Sequence, residues 1–363
     1  MNERGTSRTI RVLPVTESPP TNPRSKSWRK KLLTLVVSGL VACLIAELVA
    51  RRTYEVPWPE ERPLSMVEAH PTRGWRMVPS LEHYTYDKLV RVNSLGMRGP
   101  EVPEKSPDRL RVIALGDSLV YGQGAGEDET LPVHLEAYLN QSDEEERGWE
   151  VLNAGNRAYG TEQELALLEE LGPVLEPDVV VVFWFHNDLE GRDLKATHER
   201  LTASGPIAFD TGNAMKGLDL WSWRAKQVAR SSALFMTLYD RVLNPEAGRV
   251  KQPPSWDPHF EALDEQLDRF GELERELGFE LLFCVIPFGP TLGDTSHWGV
   301  PLEKRAIELI QAKGIPVRML DEELRAIWAA TGSVPVIPYD GHYLGEGNRA
   351  LALDASRFVL EVL

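Results

Sequence analysis

Cysteine is scarce: Cys43 and Cys284 are the two in 363 residues. Cys43 lies inside an apolar run, and Cys284 sits in Leu281-Leu-Phe-Cys-Val-Ile286, which reads as a buried strand. Two thiols so placed exclude a disulfide framework and a cysteine-ligated metal site. A basic surplus is also missing. Lys and Arg number 40 against 55 Asp and Glu, a formal net charge of −15. That balance excludes a nucleic-acid partner, because phosphate binding needs accessible excess cation. No internal repeat is visible. Hydrophobic residues, at 42%, are as frequent as a chain with a buried core requires, and the length suits one large domain or two ordinary ones.

Long apolar runs are limited to one, Leu32 to Ala50, interrupted by a single charge at Glu47. Nineteen residues at 1.5 Å each span about 28 Å, close to the hydrocarbon core of a bilayer. Arg24, Lys26, Arg29, Lys30 and Lys31 precede the run, whereas Arg51 and Arg52 follow it. This asymmetry predicts a single-pass membrane segment at 32–50 with a cytoplasmic N-terminus and an extracytoplasmic body, periplasmic or on the cell surface. Glu47, one turn from the end, is placed to reach the headgroups. An uncleaved signal anchor is the favoured reading. A cleaved signal peptide fits less well, since Leu48-Val-Ala50 lacks the small residue wanted three positions before the cut. Leu40-Val-Ala-Cys43 resembles a bacterial lipobox, although the apolar run continues well past Cys43. Residues 1–31, rich in Ser, Thr, Pro and Arg, read as a disordered basic tail.

Residues 51–108 read as an extracytoplasmic arm with short β elements, including an alternating stretch at His83–Val92 that suggests a hairpin or edge strand. From residue 109 to 363 strands and helices alternate. Strands are expected at Leu110–Leu115, Trp149–Asn153, Pro177–Trp184, Phe279–Ile286 and Pro316–Leu320. Helices are expected over Thr130–Leu139, Glu162–Leu171, Phe260–Leu277, Pro301–Lys313 and Asp321–Ala330, with a last one after His342. Pro177-Asp-Val-Val-Val-Val-Phe-Trp184 is apolar and β-branched, as a parallel strand covered on both faces requires. The alternation implies an α/β fold, a three-layer α/β/α sandwich with a mostly parallel sheet. Residues 191–256 interrupt it as an insertion, with helical spacing from Leu218 to Leu243.

In such sheets functional groups collect at the carboxyl ends of the strands. The first strand ends in Gly116-Asp-Ser-Leu119, the second in Asn153-Ala-Gly-Asn156 and the third in Phe185-His-Asn-Asp188. Tyr339-Asp-Gly-His342 precedes the last helix. One edge of the sheet thus offers a hydroxyl, a glycine N–H, an amide and an Asp/His pair. These are the groups acyl transfer needs: a nucleophile, a base to take its proton, a carboxylate to orient the base and donors for the oxyanion.

Gly116-Asp-Ser-Leu119 reproduces the signature of the SGNH (GDSL-type) hydrolase superfamily. Gly155 resembles the glycine of its second block, Asn187-Asp188 the Asn-Asp of its third, and Asp340 with His342 its last. The resemblance covers roughly residues 109–363 and keeps the family's block order. It implies an SGNH hydrolase-like, flavodoxin-like fold in which Ser118 is the nucleophile, His342 the base and Asp340 its orienting acid. It further implies an oxyanion hole formed by the N–H groups of Ser118 and Gly155 with the Asn187 side chain, and no metal or organic cofactor. Phe185 stands where the third block usually has Gly. Asp-x-His replaces the commoner Asp-x-x-His, a spacing similar to that of some bacterial members acting on polysaccharide acyl groups.

The expected activity is that of an extracytoplasmic serine esterase acting on acyl or acetyl groups of a cell-envelope carbohydrate or lipid. A polysaccharide O-acyltransferase would use the same triad, and an inactive SGNH-like scaffold that binds a glycan or an envelope partner is the reading from another class. Asp117 and Asp188 are expected to hold loops, and His186 lies outside the pattern. Trp221, Trp223, Trp256 and Trp298 are expected to pack on the body, lie against the membrane or stack on sugar rings. Asp143-Glu-Glu-Glu146 reads as a solvated acidic loop.

Overall fold

The computed structural model describes residues 24–58, 60, 66–142, 148–191, 193–208, 220–243, 253–294, 296–338 and 340–363. The acidic stretch 143–146 and residues 1–23 of the tail lie outside them. The chain divides into two compact units, Met1–Thr53 and Tyr54–Leu363.

In the first unit a helix, α1, runs from Arg24 to Ala50. It starts eight residues before the apolar run, so Arg24–Lys31 form its first turns and the tail's expected disorder does not extend to them. Lys, Arg and Ser tolerate a helix that the following Leu, Val and Ala residues favour. Trp28–Ala50 is long and apolar enough to cross a membrane, with a mean hydropathy of 2.5. Its two hydroxyls bond back along the helix, Thr34 to the Lys30 carbonyl at 3.0 Å and Ser38 to that of Leu35 at 3.1 Å. Neither hydroxyl of that stretch is therefore left without a hydrogen-bond partner. Glu47 pairs with Arg51 at 2.7 Å, which neutralises the single charge near the end.

The second unit opens with four short strands, β1 (Met66–His70), β2 (Gly74–Met77), β3 (Glu82–Thr85) and β4 (Lys88–Arg91). Then follow β5 (Leu110–Gly116), α2 (Ser118–Tyr121), α3 (Leu131–Ser142), β6 (Trp149–Gly155), α4 (Thr161–Leu175) and β7 (Val179–Trp184). The insertion holds α5 (Leu194–Ser204), β8 (Ile207–Ala208), α6 (Leu220–Arg230) and α7 (Ala233–Leu238). The alternation resumes with α8 (Asp257–Leu277), β9 (Glu280–Val285), α9 (Gly299–Ala312), β10 (Val317–Met319), α10 (Glu322–Thr331) and α11 (Gly345–Val362).

The central sheet has five strands in the order β10-β9-β7-β5-β6, every pairing parallel. Successive side chains point to opposite faces, and two separate cores result. Ile113, Leu115, Val180, Val182 and Phe283 pack under α4, α8 and α9. Val112, Ala114, Val179, Val181 and Leu282 pack under α3, α10 and α11. The helices therefore lie on both faces, as the three-layer reading requires. All six residues of β7 are buried. The chain leaves β5 toward β6 on one side and returns to β7 on the other, so the order reverses at β5. Such a reversal opens a crevice at the carboxyl ends of the strands.

Residues 54–108 are not an appended arm. Val67, Trp75 and Met97 belong to the same core as α4 and α8, and polar contacts lock the segment down. The Tyr159 hydroxyl donates to the Trp75 carbonyl at 2.6 Å, and Gln163 Nε2 to that of Arg73 at 2.7 Å. Buried Arg73 also meets Glu170 at 3.2 Å. The insertion is stitched to the same segment, because β8 extends the antiparallel β2-β1 pair. Trp256 and Trp298 pack against the α4-side core, while the side chains of Trp221 and Trp223 lie outside the described residues.

Candidate active site

The turn that carries Ser118 follows from local rules. β5 ends at Gly116, and Asp117 caps the short helix α2, its Oδ1 accepting the Leu119 N–H at 2.8 Å. Asx residues favour this position because the carboxylate satisfies an orphan helix donor. The cap leaves Ser118 at the first helical position, at the edge of the sheet and 8% exposed.

The loop after β10 and α10 brings His342 to it. Ile337 N–H donates to the His342 carbonyl at 2.9 Å, and Val336 bridges Tyr343, so Asp340 and Gly341 lie in a tight loop. Gly341 stands at φ +87°, a left-handed conformation that costs little only for glycine. That turn lets Asp340 and His342, separated by one residue, reach each other. His342 Nδ1 meets Asp340 Oδ1, and His342 Nε2 lies 2.6 Å from Ser118 Oγ. The three side chains, from two distant points of the chain, thus form one line of hydrogen bonds.

Asp340 is held ionised. Burial alone would raise its carboxyl, but the His342 charge and hydrogen bonds from His342, Tyr86 and Gln123 outweigh it and bring it down to about 2. An ionised Asp340 accepts only, so it accepts from the N–H at Nδ1 of His342; in a neutral imidazole so oriented, Nε2 is the acceptor facing the Ser118 hydroxyl.

Asn187 sits on the helical turn His186–Leu189 after β7. Its Nδ2 donates to Asp117 Oδ2 at 2.9 Å, which leaves the second amide hydrogen for a ligand. Gly155 is placed differently from the expectation. Its N–H donates to Asn153 Oδ1 at 3.1 Å. A Cβ on it would stand 2.2 Å from the Tyr121 nitrogen and 2.6 Å from the Val120 carbonyl carbon. The glycine is therefore what lets α2 lie against β6, and its N–H is already engaged. Beyond it, Asn156 N–H bonds the Gly116 carbonyl at 3.0 Å, and Gly160 packs against the Asp188 carbonyl. The loop between them runs along the edge from the Ser118 turn to Asn187. Within it Ala158 is held at φ +58°, an uncommon conformation for a residue with a side chain.

Several residues that build the site lie outside the sequence pattern. The β3–β4 hairpin turns on Tyr86 and Asp87, both left-handed at φ 45° and 61°. From that turn the Tyr86 hydroxyl donates to Asp340 Oδ2 at 2.6 Å, beside Gln123 Nε2 at 2.7 Å. Burial, then the Asp340 charge, push the Tyr86 phenol far up, so it stays a donor. Arg98 holds the other end of α2, donating to the carbonyls of Tyr121 at 2.8 Å and of Gly122 and Ala125 at 2.7 Å. A cation at helix-terminal carbonyls is the favourable arrangement. Glu164, fully buried on α4, is pushed well above the usual carboxylate range by burial and then by the charge of Asp117. In sequence Tyr86 carried one signal, its place between two alternating halves of a hairpin; Gln123, Arg98 and Glu164 carried none.

Asp188 Oδ2 accepts the Phe185 N–H at 2.7 Å, the loop-holding part expected of it. The His186 ring packs against Phe185, Phe288 and Trp298. Burial, then the charge of His297, lower it to about 4, so it is neutral and part of an aromatic cluster beside Asn187. No group of three or more His, Cys, Asp or Glu residues able to hold a metal occurs among the described residues.

No protein-family model matches the chain, and no curated protein does. Solved structures similar to it include the acetyl xylan esterase AlAXEase, at 15% identity and a TM-score of 0.41 over 69% of this chain and 100% of that one. TesA aligns at 14% and 0.40 over 70% and 99%. A family 3 carbohydrate esterase of Clostridium thermocellum aligns at 13% and 0.38 over 70% and 96%.

Proposed function

We propose that the chain is a serine ester hydrolase of SGNH type, anchored to a membrane by α1 and acting on acyl esters outside the cytoplasm. The observation that carries this reading is the line Ser118 Oγ, His342 Nε2, His342 Nδ1 and Asp340 Oδ1 at one edge of a parallel sheet. The basic flank before α1 supports the orientation.

In the proposed reaction Ser118 Oγ attacks the ester carbonyl while His342 Nε2 takes its proton. Asp340 holds the imidazole in the tautomer this requires and stabilises the imidazolium that forms. The tetrahedral oxyanion is met by the Ser118 N–H and the free hydrogen of Asn187 Nδ2. The Gly155 N–H, expected as a third donor, is held by Asn153 Oδ1 at 3.1 Å. One such donor is worth about 3–4 kcal/mol in the transition state. His342 then protonates the departing alkoxide, leaving an acyl-Ser118 ester. Water attacks that ester, losing its proton to His342 Nε2, and Ser118 leaves reprotonated. The natural substrate class is an acylated, notably acetylated, envelope carbohydrate or lipid.

The test is hydrolysis of a chromogenic acetyl ester by the full chain, with Ser118→Ala and His342→Ala beside it. Each variant is expected to lose activity by roughly 10³-fold or more while keeping its fold. Equal rates in all three would remove the triad assignment. Adding an acetylatable glycan acceptor to the same assay shows whether water or a sugar hydroxyl resolves the acyl-enzyme.

A further inference from the structure

Among the described residues, the insertion carries an apolar face that the body does not bury. α7 buries Ala233 and Met236, which accounts for one side of it. The other side presents Phe235, Leu238, Tyr239 and Val242, exposed by 40, 52, 38 and 66%. Their spacing places them on one stripe of a helix, continued from α7 into the π-helical turn Tyr239–Leu243. The rings of Phe235 and Tyr239 stack at 6.1 Å. Scattered single apolar residues on a surface need no explanation, but a contiguous stripe on an otherwise acidic body does.

Chain connectivity identifies what covers it. α1 ends at Ala50, and the Tyr54 hydroxyl donates to Asp240, inside that same turn. Four residues of fully extended chain reach at most roughly 14 Å. Whatever angle the anchor makes with the body, the stripe is therefore tethered close to the point where the chain leaves the bilayer. Lys226 and Arg241 are exposed on the insertion itself. In a chain of net charge −15, these two cations on the insertion suit an anionic lipid headgroup layer.

We propose that Phe235, Leu238, Tyr239 and Val242 seat in the lipid interface, so that the insertion is a second membrane contact. This rests on the reading of α1 as a membrane span. The apolar side chains lie at the acyl boundary and the neighbouring cations among the headgroups, the arrangement of an interfacial amphipathic helix. Two points of attachment, α1 and the stripe, fix the face that the body turns to the membrane and hence the substrates within reach of Ser118.

The experiment uses the full chain in vesicles of phosphatidylcholine and phosphatidylglycerol, with Cys43→Ser and an environment-sensitive dye on Leu238→Cys or Val242→Cys. Val174→Cys, on α4 and 63% exposed, is the control. Dye at 238 and 242 is expected to be quenched at least twofold by lipid carrying a shallow quencher and to be shielded from aqueous iodide; dye at 174 behaves oppositely. A chain that floats with the vesicles but shows equal iodide quenching at all three positions overturns the docking and spares the anchor. A chain that does not float overturns the anchor reading, and the docking with it. Shielding that disappears on dilution with empty vesicles, without lipid quenching, assigns the stripe to a second copy and also overturns the proposal.

Discussion

Asp340 offers two oxygens to three side-chain donors, and the partition among them bears on catalysis. Oδ1 serves His342, while Oδ2 takes Tyr86 at 2.6 Å and Gln123 at 2.7 Å. The two outer donors do not touch the imidazole, but they fix the carboxylate plane and therefore the ring. A hydrogen bond to a charged group is worth about 1.5–3 kcal/mol net. Tyr86→Phe keeps the ring and removes the donor, so kcat is expected to fall about tenfold with KM changed by less than about twofold. Steady-state kinetics on a soluble acetyl ester checks this, and an unchanged kcat would reduce the phenol to a space-filler. The position also explains a strained turn. Two left-handed residues suit a two-residue hairpin loop, which usually selects Asn-Gly. Tyr-Asp at 86–87 departs from that preference where the side chain has another use, as local strain at functional sites does.

Among the elements, α2 matters most, because four residues, Ser118–Tyr121, place the hydroxyl. Its near end is capped by Asp117, its far end by Arg98, and its flank rests on Gly155. Gly155→Ala would set a Cβ against backbone atoms that have nowhere to move. The expected cost is about 1–3 kcal/mol of stability, with ester hydrolysis reduced about 100-fold as α2 shifts. Thermal melts and initial rates on the same preparation read both. Near-normal values would mean that α2 is not held where it is by this contact. The elements show how far the pattern of residues carried. The five parallel strands were legible because each is a short run between turn residues, apolar and β-branched above all in β7, with boundaries within about two residues of those found. The Asp-Gly-His loop was legible by its residue types. Gly155 was misread because a glycine that exposes its N–H and one that admits a neighbouring backbone look the same in sequence. Only the neighbour, thirty-odd residues earlier in the chain, distinguishes them.

At the scale of the molecule, the site depends on residues 54–108 as much as on the alternating α/β part. His83, Tyr86 and Arg98 reach Tyr121, Asp340 and the α2 carbonyls from that segment. Its strands are four or five residues long, too short to declare which face is buried, so the sequence suggested an arm. Trp75 and Met97 nevertheless join the main core, which makes the whole of Tyr54–Leu363 one compact unit. What this unit is built to do reduces to one claim, that Ser118 is an activated nucleophile. Exposing the full chain to a fluorophosphonate and mapping the adduct by mass spectrometry tests it directly. The account predicts a single phosphonyl group on Ser118, absent in His342→Ala. No adduct, an adduct on another serine, or labelling of Ser118 unaffected by loss of His342 would contradict it.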